Sequence, residues 1–456
     1  SGRYDHEFIE KYTRGFEEFK AYLDTQTMEQ LSKWCGISVT DIEKLTDIFC
    51  STAKIPLVAY TGLEYQLSAI QNNRAIFVLW AITGKLDAPG AIYLNAKGLE
   101  TPKLFEIPED DKPIGVDEFP LFYKFSGLGQ FSRFPKAVLE DEPYPVRGLM
   151  ILGGSPVLSF PDSKSWREAY KKLDCLIVLD RYFTEDARYA DVVFPACSLF
   201  EVPKAAPGPE GPHIVEPLIE PVGESKNDVL IMGAIAKKLG FGDKLPQTEE
   251  ELRSWLLSGT APYAGDFGTS ADQKKEKHYK KYETGELRAD GKPGFPTPSG
   301  KLEICSTILE ENGFVPYPEY KDVRSIPELA GKEYPFTMTS GARSNNRMGV
   351  FGANLDKIAE IEPYPFVDIN AEDAKEIGIK DGDMVKVITP FADGTFKAKI
   401  RGIARHAIHI PHGGGSAYMA EPWKNGNVND LCSLDYADPM TGFVLIKSVP
   451  CRVEKV

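Results

Sequence analysis

The sequence predicts an α/β protein in which Rossmann-like αβα layers are followed by a C-terminal β-barrel. Two continuous apolar runs between residues 149 and 179 flank a segment with apolar residues at helical spacing, the pattern of strand, helix and strand. A Gly-Gly loop follows the first run and an aspartate follows the second. From Tyr334 onward, short β segments alternate with tight turns, which is typical of a compact barrel.

The first strand of this unit is the apolar run Leu149–Leu152, and the second is Cys175–Leu179, with a helix predicted over Ser163–Leu173 between them. Neither run alternates with polar residues, so we expect both strands to be buried on both faces. A helical crossover joins neighbouring parallel strands. The carboxyl ends of both strands should therefore lie at one edge of the sheet, where ligands of such sheets bind.

Two loops leave that edge. Gly153–Ser155 is small and flexible, so its backbone can approach a phosphate closely, and Asp180–Thr184 begins with a carboxylate suited to a ribose or a base edge. A tight turn without a ligand is the alternative for the Gly-Gly loop considered alone. Asp180 at the end of the next strand favours a nucleotide site.

Helices and a second strand–glycine–helix junction are predicted near the N-terminus. Apolar residues at helical spacing predict packing helices over Asp5–Leu23 and Ser38–Phe49, the second with Ser38 as its cap. Ile55–Tyr60 is predicted to be a short strand that ends at Thr61-Gly62, and Gln66–Thr83 a long helix closed by Gly84. Thr61, Tyr65, Gln66 and Asn73 would face a ligand there, or Gln66 and Asn73 would lie on a solvated helix face, which this pattern alone favours.

The later part of the chain has three features. A helix is predicted over Asp228–Leu239, with Ser225 as its cap. The basic run Lys274–Lys281 is interpreted as a solvated patch, with an acidic partner surface as the alternative. The predicted barrel strands are residues 336–340, 366–369, 383–388, 395–400 and 407–410, with turns at Lys380–Asp383 and Asp393-Gly394.

Composition excludes several classes of function. The 456 residues include 53 basic and 67 acidic side chains, a net charge of −14, which argues against a nucleic-acid-binding or anionic-membrane surface. The length predicts about three domains of ordinary size. No apolar run approaches the roughly 18 residues needed to span a bilayer. The first residues, SGRYDHEF, carry neither an initiator methionine nor a signal-peptide pattern, so we interpret residue 1 as a cut or processed end.

Cysteine and histidine patterns point to no local metal site. The seven cysteines are dispersed without a C-x-x-C pair, so we expect mostly buried thiols and no local iron–sulfur or zinc motif. His409 and His412 lie three residues apart, but their neighbourhood lacks further ligands. We interpret His406 and His409 as structural and place His412 near a cofactor or substrate. No nucleophile–base pair is recognised, and no catalytic residue is assigned.

Eight pieces of the chain, in order, make it similar to the molybdopterin oxidoreductases of the dimethyl sulfoxide reductase family. They are TGLEYQ (61–66), AITGKLDAPG (81–90), GGSPVLSFPD (153–162), LDRYFTEDARYADVVFPA (179–196), TPSGKLE (297–303), TSGARSNNR (339–347), FVDINAEDAKEIGIKDGDMVKV (366–387), and NVND with DPMTGF within 427–443. The resemblance implies two molybdopterin guanine dinucleotides that hold molybdenum or tungsten. It also implies a double-psi type barrel, and domains over 1–55 (the helical tail of an upstream αβα domain), 56–330 (αβα, dinucleotide-binding) and 331–456 (barrel).

The resemblance also assigns cofactor contacts. It implies that the loop Gly153–Pro156 passes over a diphosphate, that Asp180 and Asp228 contact the guanosine end, and that the segment from Thr339 wraps a pterin and its phosphates. By residue type, Arg343 suits a phosphate clamp, with an ordinary surface arginine as the alternative. The assigned residues are Thr61, Gly62, Tyr65, Gln66, Gly153, Gly154, Ser155, Pro156, Asp180, Thr184, Asp228, Thr339, Ser340, Gly341, Arg343, Ser344, Arg347, His412, Asn429 and Lys447.

The chain departs from the family pattern in three ways. It lacks the cysteine cluster for a [4Fe–4S] centre, it lacks the upstream side-chain ligand of the metal, and Asn345, Asn346 and Arg347 stand where many relatives have histidines. We therefore interpret it as the C-terminal part of a catalytic subunit and expect the [4Fe–4S] centre only in the missing N-terminal part.

The function that the resemblance implies is two-electron redox chemistry or oxygen or sulfur transfer at the metal, as in anaerobic respiration and electron transfer. The ending of the barrel, VPCRVEKV, and the TSGAR segment are more similar to the branch of thiosulfate and polysulfide reductases, acetylene hydratase and transhydroxylases than to nitrate reductases. The expected partners are the missing N-terminal part, an iron–sulfur electron-transfer subunit and a small-molecule substrate. A non-catalytic dinucleotide-binding module, or one half of a split enzyme, is the alternative. The compartment, cytoplasmic or cell-envelope, is left open.

Overall fold

A computed structural model of the chain describes residues 1–94, 112–206, 212–258, 278–341, 355–419 and 421–456. The chain divides into two compact units. The first unit comprises 1–101 with 276–322, and the second comprises 102–275 with 323–456. Within the described ranges, no helix is long and apolar enough to cross a membrane. The predicted division into domains 1–55, 56–330 and 331–456 stays a prediction.

The elements are numbered in chain order. The helices are α1 His6–Tyr12, α2 Phe16–Leu23, α3 Met28–Cys35, α4 Val39–Ser51, α5 Ala69–Ile82, α6 Pro120–Ser126, α7 Phe134–Glu140, α8 Pro156–Ser159, α9 Ser163–Lys172, α10 Asp228–Lys238, α11 Glu249–Leu257, α12 Lys281–Thr284, α13 Thr307–Glu311, α14 Asp356–Ile361 and α15 Ala371–Glu376. The strands are β1 Thr13–Arg14, β2 Gly148–Leu152, β3 Cys175–Asp180, β4 Val192–Pro195, β5 Lys204–Ala206, β6 His213–Val215, β7 Leu302–Glu303, β8 Phe336–Ser340, β9 Phe366–Asn370, β10 Met384–Ile388, β11 Asp393–Arg401, β12 Ala407–Ile410 and β13 Lys447–Lys455.

The first helix predicted from the sequence is broken in two. Between α1 and α2, Thr13 and Arg14 form β1, which pairs in parallel with β7. Gly15 then adopts φ +83°, and a Cβ at this position would lie 2.2 Å from Cβ of Cys305. The prediction of one helix over Asp5–Leu23 is therefore wrong, because a strand distant in sequence captures the backbone between two helical segments.

The second predicted helix is confirmed, but the strand that should follow it is not. The Ser38 hydroxyl accepts a hydrogen bond from the Asp41 N–H at 3.1 Å and caps α4. Residues 55–60 form no strand, and the side chain of Val58 is 94% exposed. Helix α5 begins at Ala69, not at Gln66, and Gly84 follows it in a left-handed conformation. Apolar residues alone did not form a strand here because no described strand pairs with them.

A buried ion pair ties distant segments of the first unit together. Asp87 and Lys281 are 0% and 1% exposed, and the Lys281 ammonium donates to Oδ1 of Asp87 at 2.5 Å. The Lys281 N–H donates to the other oxygen at 2.7 Å, and the Leu94 N–H donates to Oδ1 at 3.1 Å. The interpretation of the lysine run as a solvated patch is therefore wrong at Lys281, while residues 274–277 lie outside the described residues.

The second unit contains the predicted parallel sheet. β2 pairs with β3 and β3 with β4, both in parallel, with Leu152 opposite Leu179. Trp166 of α9 is fully buried in the apolar core beneath the sheet. The expectation of burial on both faces fits Leu176, Val178 and Leu179 of β3. It is wrong for Cys175, which is exposed, and for β2, where Leu152 is 46% exposed. Among the described strands, β2 lies at the edge of this sheet.

The predicted C-terminal barrel is confirmed. Its six strands close in the order β10-β11-β9-β12-β8-β13, with β9 parallel to β11 and β8 parallel to β12. Inward residues such as Met338, Val367 and Ile408 are completely buried, and they alternate with outward polar residues. The sequence analysis missed the sixth strand, β13. The turn predicted at Asp393-Gly394 is wrong, because the turn closes from Thr389 to Ala392.

Smaller corrections concern a cap and the thiols. Asn227, and not Ser225, caps α10, and its side chain accepts from the Val229 N–H at 2.9 Å. The expectation of mostly buried cysteines is also wrong. Three are buried, two are partly exposed and two are exposed: Cys305, Cys432 and Cys451, then Cys50 and Cys197, then Cys35 and Cys175.

Candidate dinucleotide site

The Gly-Gly loop is open towards the outside of the sheet. Gly153 follows β2 with φ +59°, and its N–H donates to the Leu179 carbonyl at 2.9 Å. Gly154 has no left-handed φ, and a Cβ there would meet nothing nearer than 3.8 Å. Backbone conformation explains the first glycine, but neither its conformation nor packing against the described residues requires the second. The space beside Gly154 can therefore accept a group from outside the chain.

A buried carboxylate holds this loop in place. Asp186 is completely buried and accepts hydrogen bonds from the Ser155 hydroxyl, from the Val157 N–H at 3.1 Å and from the Tyr170 hydroxyl at 2.7 Å. Burial raises the pKa of Asp186, and these hydrogen bonds oppose the rise. The sequence analysis missed Asp186, because nothing local distinguishes it from the neighbouring acidic residues. The hydroxyl of Ser155 is thus used within the fold.

Two further carboxylates share the carboxyl edge of the sheet. Asp180 ends β3 opposite Pro195, and its Oδ1 accepts from the Tyr182 N–H at 3.1 Å. A parallel bridge between Ala196 and Lys226 brings the start of α10 to the same edge. Burial raises the pKa of Asp180, and burial followed by the charge of Asp180 raises the pKa of Asp228. Asp228 therefore lies near enough to Asp180 for the charge of Asp180 to raise its pKa.

The loop after β3 contacts the barrel side of the same unit. Thr184 is buried, and its hydroxyl oxygen accepts from the Ala187 N–H at 3.2 Å. The Glu185 carboxylate accepts from the Ala417 N–H at 3.1 Å. The half-exposed rings of Phe183 and Tyr418 meet edge to face, with centroids 5.0 Å apart. The carboxyl edge of the sheet is thus joined to the chain that follows β12.

The side chains of Lys447 and His412 lie beside the end of β8 in the barrel. Gly341 has φ +100°, and a Cβ there would lie 2.6 Å from the Lys447 ammonium and 3.2 Å from Nε2 of His412. Lys447 is 8% exposed, and within the described residues its ammonium makes no hydrogen bond or ion pair. Burial lowers the pKa of Lys447. A buried cation without a partner is costly unless an anion joins it.

Asn429 links this side of the barrel to the Gly-Gly loop. Its amide nitrogen donates to the Leu158 carbonyl at 2.7 Å, and Leu158 belongs to α8, which begins directly after that loop. Its Oδ1 is buried and, in the described part of the chain, lacks a hydrogen-bond partner. A Cβ on Gly415 would lie 3.1 Å from the Leu158 side chain, so the segment after β12 reaches from Gly341 to α8.

The predicted contacts fall into three groups: those in the second unit, those in the first unit and those outside the described residues. The contacts in the Gly-Gly loop, β3, α10 and the barrel belong to the second unit, whereas Thr61, Gly62, Tyr65 and Gln66 belong to the first. Ser340 is buried, and its hydroxyl donates to the Ile446 carbonyl at 3.0 Å. Pro156 is buried at the start of α8, and Thr339 faces outward from β8. Arg343, Ser344 and Arg347 lie outside the described residues.

The residues present suit a nucleotide with its phosphates. Asp180 and Asp228 offer acceptors for ribose hydroxyls or base N–H groups, and Lys447 offers a cation for an anionic group. Gly154 leaves its backbone accessible, and Oδ1 of Asn429 is a buried acceptor without a hydrogen-bond donor among the described residues. Among the described residues, no group of three or more His, Cys, Asp or Glu is placed to hold a metal ion.

Two protein families match separate parts of the chain. Residues 65–238 match the family described as Molybdopterin oxidoreductase, and residues 337–450 match the Molydopterin dinucleotide binding domain. The first range contains the Gly-Gly loop, Asp180 and Asp228. The second contains Gly341, His412, Asn429 and Lys447.

Individual proteins give the same picture. A probable oxidoreductase of Bacillus subtilis, YoaE, is 28% identical over 84% of this chain and 55% of its own length. The F420-dependent formate dehydrogenase subunit alpha of Methanocaldococcus jannaschii is 27% identical over 89% of this chain and 60% of its own. This chain therefore spans little more than half the length of these relatives. The solved acetylene hydratase from Pelobacter acetylenicus shares the fold, with a TM-score of 0.78 at 22% identity, over 100% of this chain and 68% of that chain.

Proposed function

Because the chain belongs to the molybdopterin oxidoreductase family, we propose that it is the dinucleotide-holding part of a molybdenum or tungsten catalytic subunit. The cofactor of this family is molybdopterin dinucleotide carrying one of these metals. When bound, the cofactor supplies two-electron redox chemistry, and the protein orients it. Oxygen or sulfur transfer is the finer expectation, with an iron–sulfur electron-transfer subunit as the partner.

The observation that carries this proposal is Lys447. The residue is 8% exposed and its ammonium has no hydrogen-bond or ion-pair partner among the described residues, so an anion beside it would stabilise the charge. A Cβ on Gly341 would lie 2.6 Å from this ammonium, so the glycine lets the lysine approach the end of β8. We assign Lys447 to a phosphate of the dinucleotide. Hydrogen bonds to charged groups contribute about 1.5–3 kcal/mol each, which suits a tightly held cofactor.

The base end belongs at the carboxyl edge of the sheet. Guanine presents N–H donors and ribose presents hydroxyls, and the carboxylates of Asp180 and Asp228 accept from such groups. Gly153 and Gly154 would let the intervening phosphates approach the backbone. This arrangement supports Rossmann-like layering around β2–β4 and a barrel of the double-psi type, both of which remain part of the proposal.

Calorimetric titration of the chain with guanosine diphosphate tests the assignment. We expect Asp180→Ala and Lys447→Met each to weaken binding about tenfold or more, because each removes a charge-assisted hydrogen bond. Asp174→Asn is the matched control. Asp174 lies directly before the first residue of β3, at the end opposite to Asp180, and forms an ion pair with Arg147. Binding that is unchanged in both site variants would refute the proposed site.

A further inference from the structure

A row of polar side chains crosses the outer face of the barrel next to Lys447. Strand register places Asp368 of β9 opposite His409 of β12, His409 opposite Thr339 of β8, and Thr339 opposite Lys447 of β13. The inward neighbours Ile408 and Ile410 are buried in the barrel core. The row therefore faces outward and ends at Lys447, the candidate phosphate contact.

Within this row, Asp368 fixes the orientation of the His409 ring. Its Oδ2 lies 3.2 Å from Nδ1 of His409, and the two side chains are 14% and 21% exposed. Arg401 lies on the other side, with Nε 3.4 Å from Oδ1 of Asp368. A carboxylate accepts but does not donate, so Nδ1 carries the shared hydrogen, and Nε2 is an acceptor whenever the ring carries only that hydrogen.

That acceptor is enclosed and unused. Nε2 of His409 has no contact with solvent and, in the described ranges, no hydrogen-bond partner. Buried polar atoms in native proteins nearly always have a partner. Because Nε2 is enclosed, its partner must be enclosed too. A tightly held ligand meets this condition, whereas an ion that exchanges at the surface does not.

Resting on the proposed function, we infer that His409, positioned by Asp368, accepts a hydrogen bond through Nε2 from an N–H or O–H group of the ligand that Lys447 anchors. His409 and Lys447 lie opposite the same residue, Thr339, on the two sides of β8. Because neighbouring strands lie about 4.8 Å apart, the backbones of His409 and Lys447 are roughly 10 Å apart. A ring that carries N–H donors and is joined to a phosphate spans such a gap, whereas a phosphate alone does not.

Two substitutions at one position separate this role from a structural one. Asn places its amide nitrogen near the position of Nδ1, so His409→Asn keeps the bond to Asp368 and removes the acceptor at Nε2. Gln places its amide oxygen near the position of Nε2, so His409→Gln keeps the acceptor and loses the bond to Asp368. A ligand contact predicts that His409→Asn is the harmful change, and a purely structural role predicts the reverse.

The experiment measures how much cofactor stays bound to the protein, which is purified with its cofactor. Pterin content is followed by the fluorescence of its oxidised form after repeated desalting, and the midpoint of thermal unfolding is recorded for each variant. We expect His409→Asn to release pterin about tenfold faster than the unmodified chain and His409→Gln to stay within about threefold, in line with one lost hydrogen bond. His406→Gln is the matched control, because His406 also lies near an aspartate, Asp373, but is 63% exposed.

The outcomes distinguish this inference from the proposed function. If Lys447→Met and Asp180→Ala release pterin faster but His409→Asn does not, the contact through Nε2 is wrong and the proposed site stands. If His409→Gln is the faster of the two His409 variants, the histidine is structural. If no variant, including Lys447→Met, changes retention, the proposed site itself fails.

Discussion

At the residue scale, a substitution at Gly154 distinguishes an effect on folding stability from an effect on ligand binding. A methyl group there meets no atom nearer than 3.8 Å and imposes no left-handed strain. We expect Gly154→Ala to change the free energy of unfolding by less than about 0.5 kcal/mol, yet to weaken guanosine diphosphate binding about tenfold, because its Cβ occupies ligand space.

Gly153→Ala is the matched control for stability in chemical denaturation. Its φ of +59° should cost about 1 kcal/mol. A Gly154→Ala chain that binds guanosine diphosphate as well as the unmodified chain would contradict the assignment of this loop to the ligand.

Lys447 makes a separate prediction about pH. Burial lowers its pKa, and a bound anion raises it again. Anion affinity should therefore be full below the pKa of the free chain and fall as pH rises from that value to the pKa of the complex. Calorimetry with inorganic pyrophosphate at several alkaline pH values measures this.

Lys447→Met provides the baseline for the pH series, since pyrophosphate itself titrates in this range. The ratio of the affinity of the unmodified chain to that of Lys447→Met should shrink as pH rises. A ratio that stays constant would mean that the ammonium does not contact the anion.

At the element scale, Gly15 separates α1 from α2 for a tertiary reason. Its φ is +83°, and an added Cβ would overlap Cys305. We expect Gly15→Ala to cost about 3 kcal/mol or more in chemical denaturation, since the left-handed conformation contributes about 1 kcal/mol and the overlap displaces buried atoms.

Gly36, which ends α3, is the control for this substitution. It has φ +69°, and nothing lies within 4 Å of an added Cβ. Gly36→Ala should therefore cost only about 1 kcal/mol. Equal losses in the two variants would show that the contact with Cys305 does not determine where the first helix stops.

At the scale of the whole molecule, we expect the 456-residue chain assayed alone to show no redox turnover. Its seven cysteines are dispersed without a cluster motif for an electron relay. Burial raises the pKa of Cys197 and raises that of Cys432 to about 12, so without a metal both thiols are protonated near neutral pH. Among the described residues, neither thiol belongs to a group of three or more His, Cys, Asp or Glu that could hold a metal ion.

The assay combines the chain, cofactor and molybdate or tungstate with a reduced viologen dye and thiosulfate, polysulfide or trimethylamine N-oxide, or an oxidised dye and formate. Cofactor-dependent turnover that survives Cys197→Ser and Cys432→Ser would contradict the expectation. It would mean that the metal ligand lies at a position that the sequence analysis did not recognise.

The sequence by itself determined the local elements and their order. The apolar runs before Gly153 and Asp180 predicted two parallel strands with a shared carboxyl edge, and the structure pairs Leu152 with Leu179 there. Five of the six barrel strands were also predicted. These features can be predicted from the sequence because the spacing of apolar side chains, the continuity of an apolar run and the residues of a turn are all local properties.

Only the tertiary structure decided which groups lack a partner. Ser155 is held by Asp186, thirty-one residues away, and the burial of Lys447 depends on the strands that surround it. Val58 belongs to an apolar run but is exposed, because no described strand pairs with its segment. Burial and hydrogen-bond pairing join residues far apart in the chain, so no local pattern can report them.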